Sequence, residues 1–221
     1  MGFLEFKRVY KIYPAGIKAL DNVNLSLGKG EFVFLWGATG AGKTTLMKLI
    51  TREEVPTSGE VWLERCKISS LEERYLPLLR RNLGVVFQDL KLVPHWTVYE
   101  NLISPLLVLG VKRRYAHRLA GEILDLLHLQ DKKYHKTEWL SGGEKQKLCL
   151  GRALIHRPYL VLADEPTGNL DSATALDVVG TLFEFSKKSG ATVIVATHSE
   201  DLISNFPARL VALDKGKVIQ S

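Results

Sequence analysis

The sequence predicts an α/β fold with a mainly parallel core sheet, an N-terminal antiparallel β piece and an inserted helical segment. Three observations carry this reading. The glycine-rich run GATGAGKT (37–44) follows a strand-like EFVFLW (31–36) and opens a helical pattern. Beyond residue 156, YLVLA, a helix over SATALDVVGTLFEFSKKSG, and TVIVATH alternate in the βαβ manner. Between about 90 and 156, helical periodicity replaces strand patterns.

From the N-terminus, FLEFKRVY, LDNVNLSL and EFVFLW read as antiparallel strands separated by the turn signals YPAGIK and GKG. TLMKLITREE after Thr44 has helical spacing, SGEVWLERC returns to a strand, and NLGVVFQD is a further short apolar one. RRYAHRLAGEILDLLHL places Leu119, Ile123, Leu126 and Leu127 on one helical face with charges opposite. GGEKQKLCLGRALIHRP is a second helix, stopped at Pro158. ARLVALDKGKVIQ closes the chain as a hairpin. We read one domain over 1–221, with its core in 1–89 and 157–221 and a helical subdomain at about 90–156.

With 221 residues, 46% hydrophobic and 24% charged, the chain is an ordinary globular protein long enough for a substantial core. Its formal charge of +6 suits nucleic acid, an anionic membrane face or a phosphate ligand, and alone favours none. Cys66 and Cys149 form neither a disulfide framework nor a metal spacing, which points to a reducing, cytoplasmic setting. The N-terminus carries charges among its apolar residues, unlike a signal peptide. The longest near-apolar run, LISPLLVLGV, is about half a membrane span and holds a proline. The chain is expected not to cross a membrane, although it could sit against one.

The chemistry concentrates in three motifs. In Gly37, Ala38, Thr39, Gly40, Ala41, Gly42, Lys43 and Thr44, continuing into Thr45, the glycines let backbone N–H groups turn around a polyphosphate at a helix N-terminus. Lys43 would reach the β- and γ-phosphates and the Thr44 hydroxyl would hold Mg²⁺. The apolar run 159–163 ends on Asp164 and Glu165, and desolvating one carboxylate costs several kcal/mol, so a cation is expected there. Asp164 is the expected magnesium ligand and Glu165 the expected base for the attacking water. In LSGGE (140–144), Ser141, Gly142 and Gly143 open a helix and offer a second anion site; the same residues also read as an N-cap with Glu144 closing a capping box.

Phosphate loop, LSGGE, YLVLADEP and a later ATH, in this order, resemble the nucleotide-binding domain of an ABC ATPase over essentially the whole chain. The resemblance implies an ATPase with ATP and Mg²⁺, and roles for further positions. Gln88 would contact Mg²⁺ and the attacking water, and His198 the γ-phosphate. Asp171 would cross to the other subunit, and Tyr13 would stack on adenine, with Tyr10 as a nearby competitor. Because each motif occurs once, the resemblance also implies a homodimer, with Ser141 to Gly143 of one chain closing over ATP held by the other. DEPTGNLD resembles the branch that holds lipoprotein-release ATPases, macrolide exporters and the FtsE group of cell-division ATPases, and KALDNVNL, EVPTSGEV, VVFQDLKLVPHWTVYENL and ATHSEDLI together are most similar to the FtsE group. That group works with a polytopic membrane protein, FtsX, at the cytoplasmic face of the plasma membrane and activates cell-wall hydrolases. The motor of a lipoprotein-release or export transporter of the same branch stays open as the alternative. Lys147 stands where the family usually has Arg. A membrane partner is expected to dock near 89–105, where Leu92, Val93, Pro94, Trp96 and Tyr99 form an apolar patch if exposed.

Overall fold

The computed structural model describes residues 2–86, 89–168 and 170–220. The first strands are β1 (Leu4–Ile12), β2 (Lys18–Leu27) and β3 (Phe32–Trp36), followed by α1 (Lys43–Thr51). Then come β4 (Ser58–Leu63), β5 (Cys66–Lys67), α2 (Leu76–Arg80) and β6 (Leu83–Val86). Three helices succeed them, α3 (Val98–Val108), α4 (Arg113–Leu127) and α5 (Gly142–Leu154). The chain finishes with β7 (Leu160–Asp164), α6 (Ser172–Ser189), β8 (Thr192–Thr197), α7 (Glu200–Ser204), β9 (Arg209–Asp214) and β10 (Lys217–Gln220).

One sheet, ordered β2-β1-β4-β5, is antiparallel throughout. Its β2 buries Val23, Leu25 and Leu27 and exposes Asn24 and Ser26, the alternation of a strand with one wet face. The second sheet runs β10-β9-β3-β8-β7-β6, parallel from β9 to β6 with β10 added antiparallel at the edge. Here the structure corrects the reading of β3 as an antiparallel neighbour of β1 and β2. It lies inside the parallel sheet, with Phe34 opposite Val195 of β8 and Leu210 of β9. Phe32 to Leu35 are buried without a break, as a strand covered on both faces requires.

The two faces of that sheet serve two cores. Phe32 and Phe34 point into a cluster with α3 to α6. Val33 and Leu35 point into a cluster with α1 and the antiparallel sheet. On α4 the buried stripe is Ala116, Leu119, Ala120, Ile123, Leu124 and Leu127; Leu124 takes the place expected of Leu126, which is half-buried. Gly151 marks where three helices meet: a Cβ there would lie 2.5–2.9 Å from Leu127, Leu102 and Ile123.

Helix α3 was not apparent as a helix in the sequence. It begins on a capping box, Thr97 with Glu100, and absorbs Pro105 internally. Pro105 has no N–H to offer, and the Ser104 hydroxyl donates to Asn101 O at 2.9 Å one turn earlier. Asn101 itself is 1% exposed. Its Oδ1 accepts from Val93 N (2.9 Å), and its Nδ2 faces Val93 O (3.0 Å), Thr97 O (3.2 Å) and Thr137 Oγ1 (3.0 Å). One buried amide thus ties the segment before α3 to the segment leading into α5. Among the described residues, no helix is long and apolar enough to cross a membrane.

Candidate nucleotide site

Strand register brings the chemistry together. Trp36 of β3 is opposite Thr197 of β8, and Asp164 of β7 is opposite Ala196. The residues that follow, the phosphate loop, Glu165 and His198, therefore emerge side by side at the carboxyl ends of three adjacent parallel strands. Ligands of open α/β sheets bind in that position.

In the loop, Gly42 caps α1 with φ 109°, and a Cβ there would sit 2.6 Å from Ala19 O. No side chain caps the helix, so its first N–H groups remain available to an anion. Lys43 is 6% exposed; its ammonium donates to Gly37 O (2.6 Å) and Ala38 O (3.3 Å) and pairs with Glu165 Oε1 at 3.3 Å. Glu165 Oε2 meets His198 Nδ1 at 3.0 Å. Glu165 holds φ 46°, a left-handed conformation that costs a non-glycine residue of order 1–3 kcal/mol and persists where its surroundings enforce it.

Asp164 behaves differently. Its Oδ1 is buried with no hydrogen-bond partner. Burial pushes its carboxyl above the usual range, and a hydrogen bond from Thr44 works against that shift. A buried anionic oxygen beside a hydroxyl is the hard-oxygen donor set that Mg²⁺ takes, so these residues fit the ion the sequence implies.

Ala19, Thr39 to Thr45, Asp164, Glu165, Gly168 and His198 line one cavity of about 320 Å³. Tyr13 OH stands 3.5 Å from Thr45 Oγ1, and the Lys11 ammonium lies 4.9 Å from the Tyr13 ring centre. Tyr10 instead lines a separate cavity with Asp21, Asn22 and Lys217. Gln88 lies outside the described residues.

Ser141, Gly142 and Gly143 are elsewhere. Together with Leu170, Asp171, Thr174 and Asp177 they line a second cavity of about 420 Å³ that shares no residue with the first. The capping-box reading of LSGGE is realised in the structure. Ser141 caps α5, its Oγ accepting from Glu144 N (3.3 Å) while Ser141 N donates to Glu144 Oε2 (3.0 Å). The side of a Cβ on Gly142 would meet open space. The Lys132 ammonium beside Glu144 holds that carboxyl below the usual range.

Asp171 has a local task that sequence reasoning missed. It is the N-cap of α6: Oδ1 accepts from Thr174 N (3.0 Å) and Oδ2 from Thr174 Oγ1 (2.6 Å), which hold its carboxyl below the usual range. The D-S-A-T run was the available signal. Gly143 packs on the same threonine, since a Cβ there would come 2.6 Å from Thr174 Cγ2. Lys147 forms an ion pair with Asp177 of α6, so its charge ties α5 to α6 within the chain. In the expected docking strip, Val93, Pro94 and Trp96 are exposed, Leu92 and Tyr99 half-buried against the core, and Leu102 fully buried.

Comparison with known proteins agrees with this geometry. Residues 20–168 match the family model described as ABC transporter. The chain is 40% identical to the cell division ATP-binding protein FtsE of Bacillus subtilis, covering 98% of this chain and 95% of that one. It is also 40% identical to FtsE of Escherichia coli K12, with 96% of each chain covered. A dimeric, post-hydrolysis structure of the ATP-binding cassette MJ0796 bound to ADP and Pi superposes with a TM-score of 0.87 at 35% identity, over 98% of this chain and 97% of that one. CbiO1 of Clostridium perfringens superposes at 0.92 with 25% identity, over 99% and 87%. A phosphate loop beside an Asp–Glu strand end, a separate Ser-Gly-Gly helix start and these full-length similarities lead to one conclusion: the chain belongs to the ABC transporter family as an ATP-binding ATPase subunit, and it is a homologue of the FtsE cell-division ATP-binding proteins.

Proposed function

We propose that the chain binds Mg-ATP in the phosphate-loop cavity and hydrolyses it as a homodimer, driving a polytopic, FtsX-like membrane partner in cell division. The observation that carries this is Glu165 held between Lys43 at 3.3 Å and His198 at 3.0 Å, beside a buried Asp164 oxygen without a partner.

The residues divide the work as follows. The Gly37-to-Thr45 backbone and the start of α1 cradle the phosphates, and Lys43 neutralises the β- and γ-groups. Tyr13, with one face near Lys11, offers the other to adenine, a contact worth roughly 1–3 kcal/mol. Thr44 and Asp164 would hold Mg²⁺, with Gln88 as a further contact; when bound, the ion offsets charge on the phosphate oxygens. Glu165 takes a proton from the attacking water as its oxygen bonds to the γ-phosphorus and ADP departs. A general base contributes roughly 10²- to 10⁴-fold. His198 orients Glu165 and approaches the γ-phosphate.

The two separate cavities support a homodimer. Ser141, Gly142 and Gly143 of one chain would cover ATP held by the other, with Asp171 at the crossing. We take 1–89 and 157–221 as the core and about 90–156 as a helical subdomain. The partner would seat on the exposed Val93, Pro94 and Trp96 within 89–105, and through it the chain would sit at the cytoplasmic face of the plasma membrane.

The test is the mass of the Glu165→Gln chain by light scattering. With Mg-ATP it is expected to become a stable dimer without turnover, while Lys43→Ala stays monomeric and fails to bind nucleotide. A Glu165→Gln chain that remains monomeric in saturating Mg-ATP would refute the mechanism.

A further inference from the structure

At the far end of α3 from the docking strip, the turn into α4 exposes an apolar tip beside a basic cluster. Val108 is 85% exposed and Leu107 44%. Four residues later the chain reads Lys112, Arg113, Arg114, Tyr115, all exposed, with Arg118 one turn on. Among the described residues no carboxylate pairs with Lys112, Arg113 or Arg114, and Arg118 has Glu122 at 3.8 Å and the Tyr115 ring centre at 4.7 Å.

The Lys112, Arg113 and Arg114 side chains make no ion pair within the chain among the described residues. The cations sit at the cap and first turn of α4, where no acid balances them and Lys112 makes no capping bond. Positive charge at a helix start opposes the macrodipole. Exposed Val108 and Leu107 lose the burial that apolar side chains gain elsewhere in α3. A segment that breaks local rules without a packing return marks a contact made outside the chain.

Two features identify that contact. Unpaired cations suit a surface of anionic phosphates, and adjoining aliphatic side chains suit the acyl layer just beneath it. A free phosphate or a nucleic acid would use the first and ignore the second. We propose that the Leu107–Val108 tip and the Lys112–Arg118 cluster form a direct contact with the anionic lipid surface of a bilayer. It goes beyond the ATPase reading, because the chain itself makes this contact without nucleotide or dimer. Since α3 spans 11 residues, roughly 16 Å, it would hold a protein partner at one end and lipid at the other.

Co-sedimentation of the purified full chain with vesicles tests this, using equimolar phosphatidylglycerol and phosphatidylcholine against phosphatidylcholine alone. Binding is expected on the anionic vesicles only, and to weaken as salt rises. Arg113→Gln with Arg114→Gln should lower the partition coefficient about thirtyfold, from the worth of two cations at such a surface. Val108→Ser should lower it about threefold to tenfold. All three positions are exposed and outside the nucleotide site, so ATP turnover in solution should not change. Equal sedimentation with both vesicles, or none with either, would overturn the proposal. A Val108→Ser chain that binds as wild type while the glutamine pair is lost would also overturn it, as would dependence of wild-type binding on a membrane protein in the vesicle.

Discussion

Replacing Asn101 by Leu keeps the size of a fully buried side chain and removes every hydrogen bond it makes. What is then left unpaired can be counted. Thr97 O retains Asn101 N (3.1 Å), and Val93 O retains Trp96 N (3.2 Å). Val93 N loses its acceptor, and Thr137 Oγ1, in a residue 2% exposed, loses the amide that faces it. An unmade buried N–H costs about 1–3 kcal/mol and a lost neutral hydrogen bond about 1, so the variant should be less stable by about 2–4 kcal/mol. Asn101→Asp should be worse than Leu, because its carboxylate would face two carbonyl oxygens with nothing to donate. Denaturant titration gives the stabilities, and amide exchange should rise together in 89–97 and 137–141. A loss below about 1 kcal/mol for Asn101→Leu, or exchange confined to one of the two segments, would refute the reading of Asn101 as a clamp between them.

Asp164→Asn should raise the melting temperature of the nucleotide-free protein at pH 7 by about 2–8 °C, from relief of about 1–2 kcal/mol of poorly compensated buried charge. The sign follows from the raised pKa: folding favours the protonated acid, stability from it is complete below the unfolded pKa and is lost as pH rises through the folded one. The advantage of Asn should therefore shrink toward pH 4; a lower melting temperature at pH 7 would contradict it. Gly143→Ala should destabilise by about 1 kcal/mol in spite of better helix propensity, because Thr174 cannot turn away without releasing Asp171. Adding Thr174→Ser deletes the clashing methyl and keeps the hydroxyl, so the double variant should match or exceed wild type in thermal melts. Tyr13→Ala should weaken ATP binding by roughly 5- to 150-fold in a fluorescent-nucleotide titration and Tyr10→Ala should leave it unchanged.

Local demands were legible in the sequence and long-range partnerships were not. The phosphate loop declares itself because only glycine tolerates Gly42's φ and the approach of Ala19 O. Asp164 and Glu165 declare themselves because an apolar run cannot end on two charges without cause. By contrast, β3 looked like a neighbour of β1 and β2, since nothing in five residues says which strand will pair with them. Helix α3 was hidden by Pro105 and by a run too uniformly apolar to show a face. The Lys147–Asp177 and Lys132–Glu144 pairs join residues 30 and 12 positions apart, beyond the reach of periodicity. Leu124 displaced Leu126 because a face inferred from four leucine-like positions leaves its centre uncertain by a fraction of a turn.

Lys43 carries a consequence for how the site loads. Its ammonium is dehydrated when the chain folds, wrapped by two carbonyl oxygens and Glu165. With the proposed roles, nucleotide entry would be a ligand exchange around a cation already in place, phosphate oxygens replacing the Glu165 carboxylate on Lys43 and leaving that carboxylate to His198. On that reading occupancy and arming would be one step, and an empty site, with the proposed base clasped by its own lysine, would also be a disarmed one.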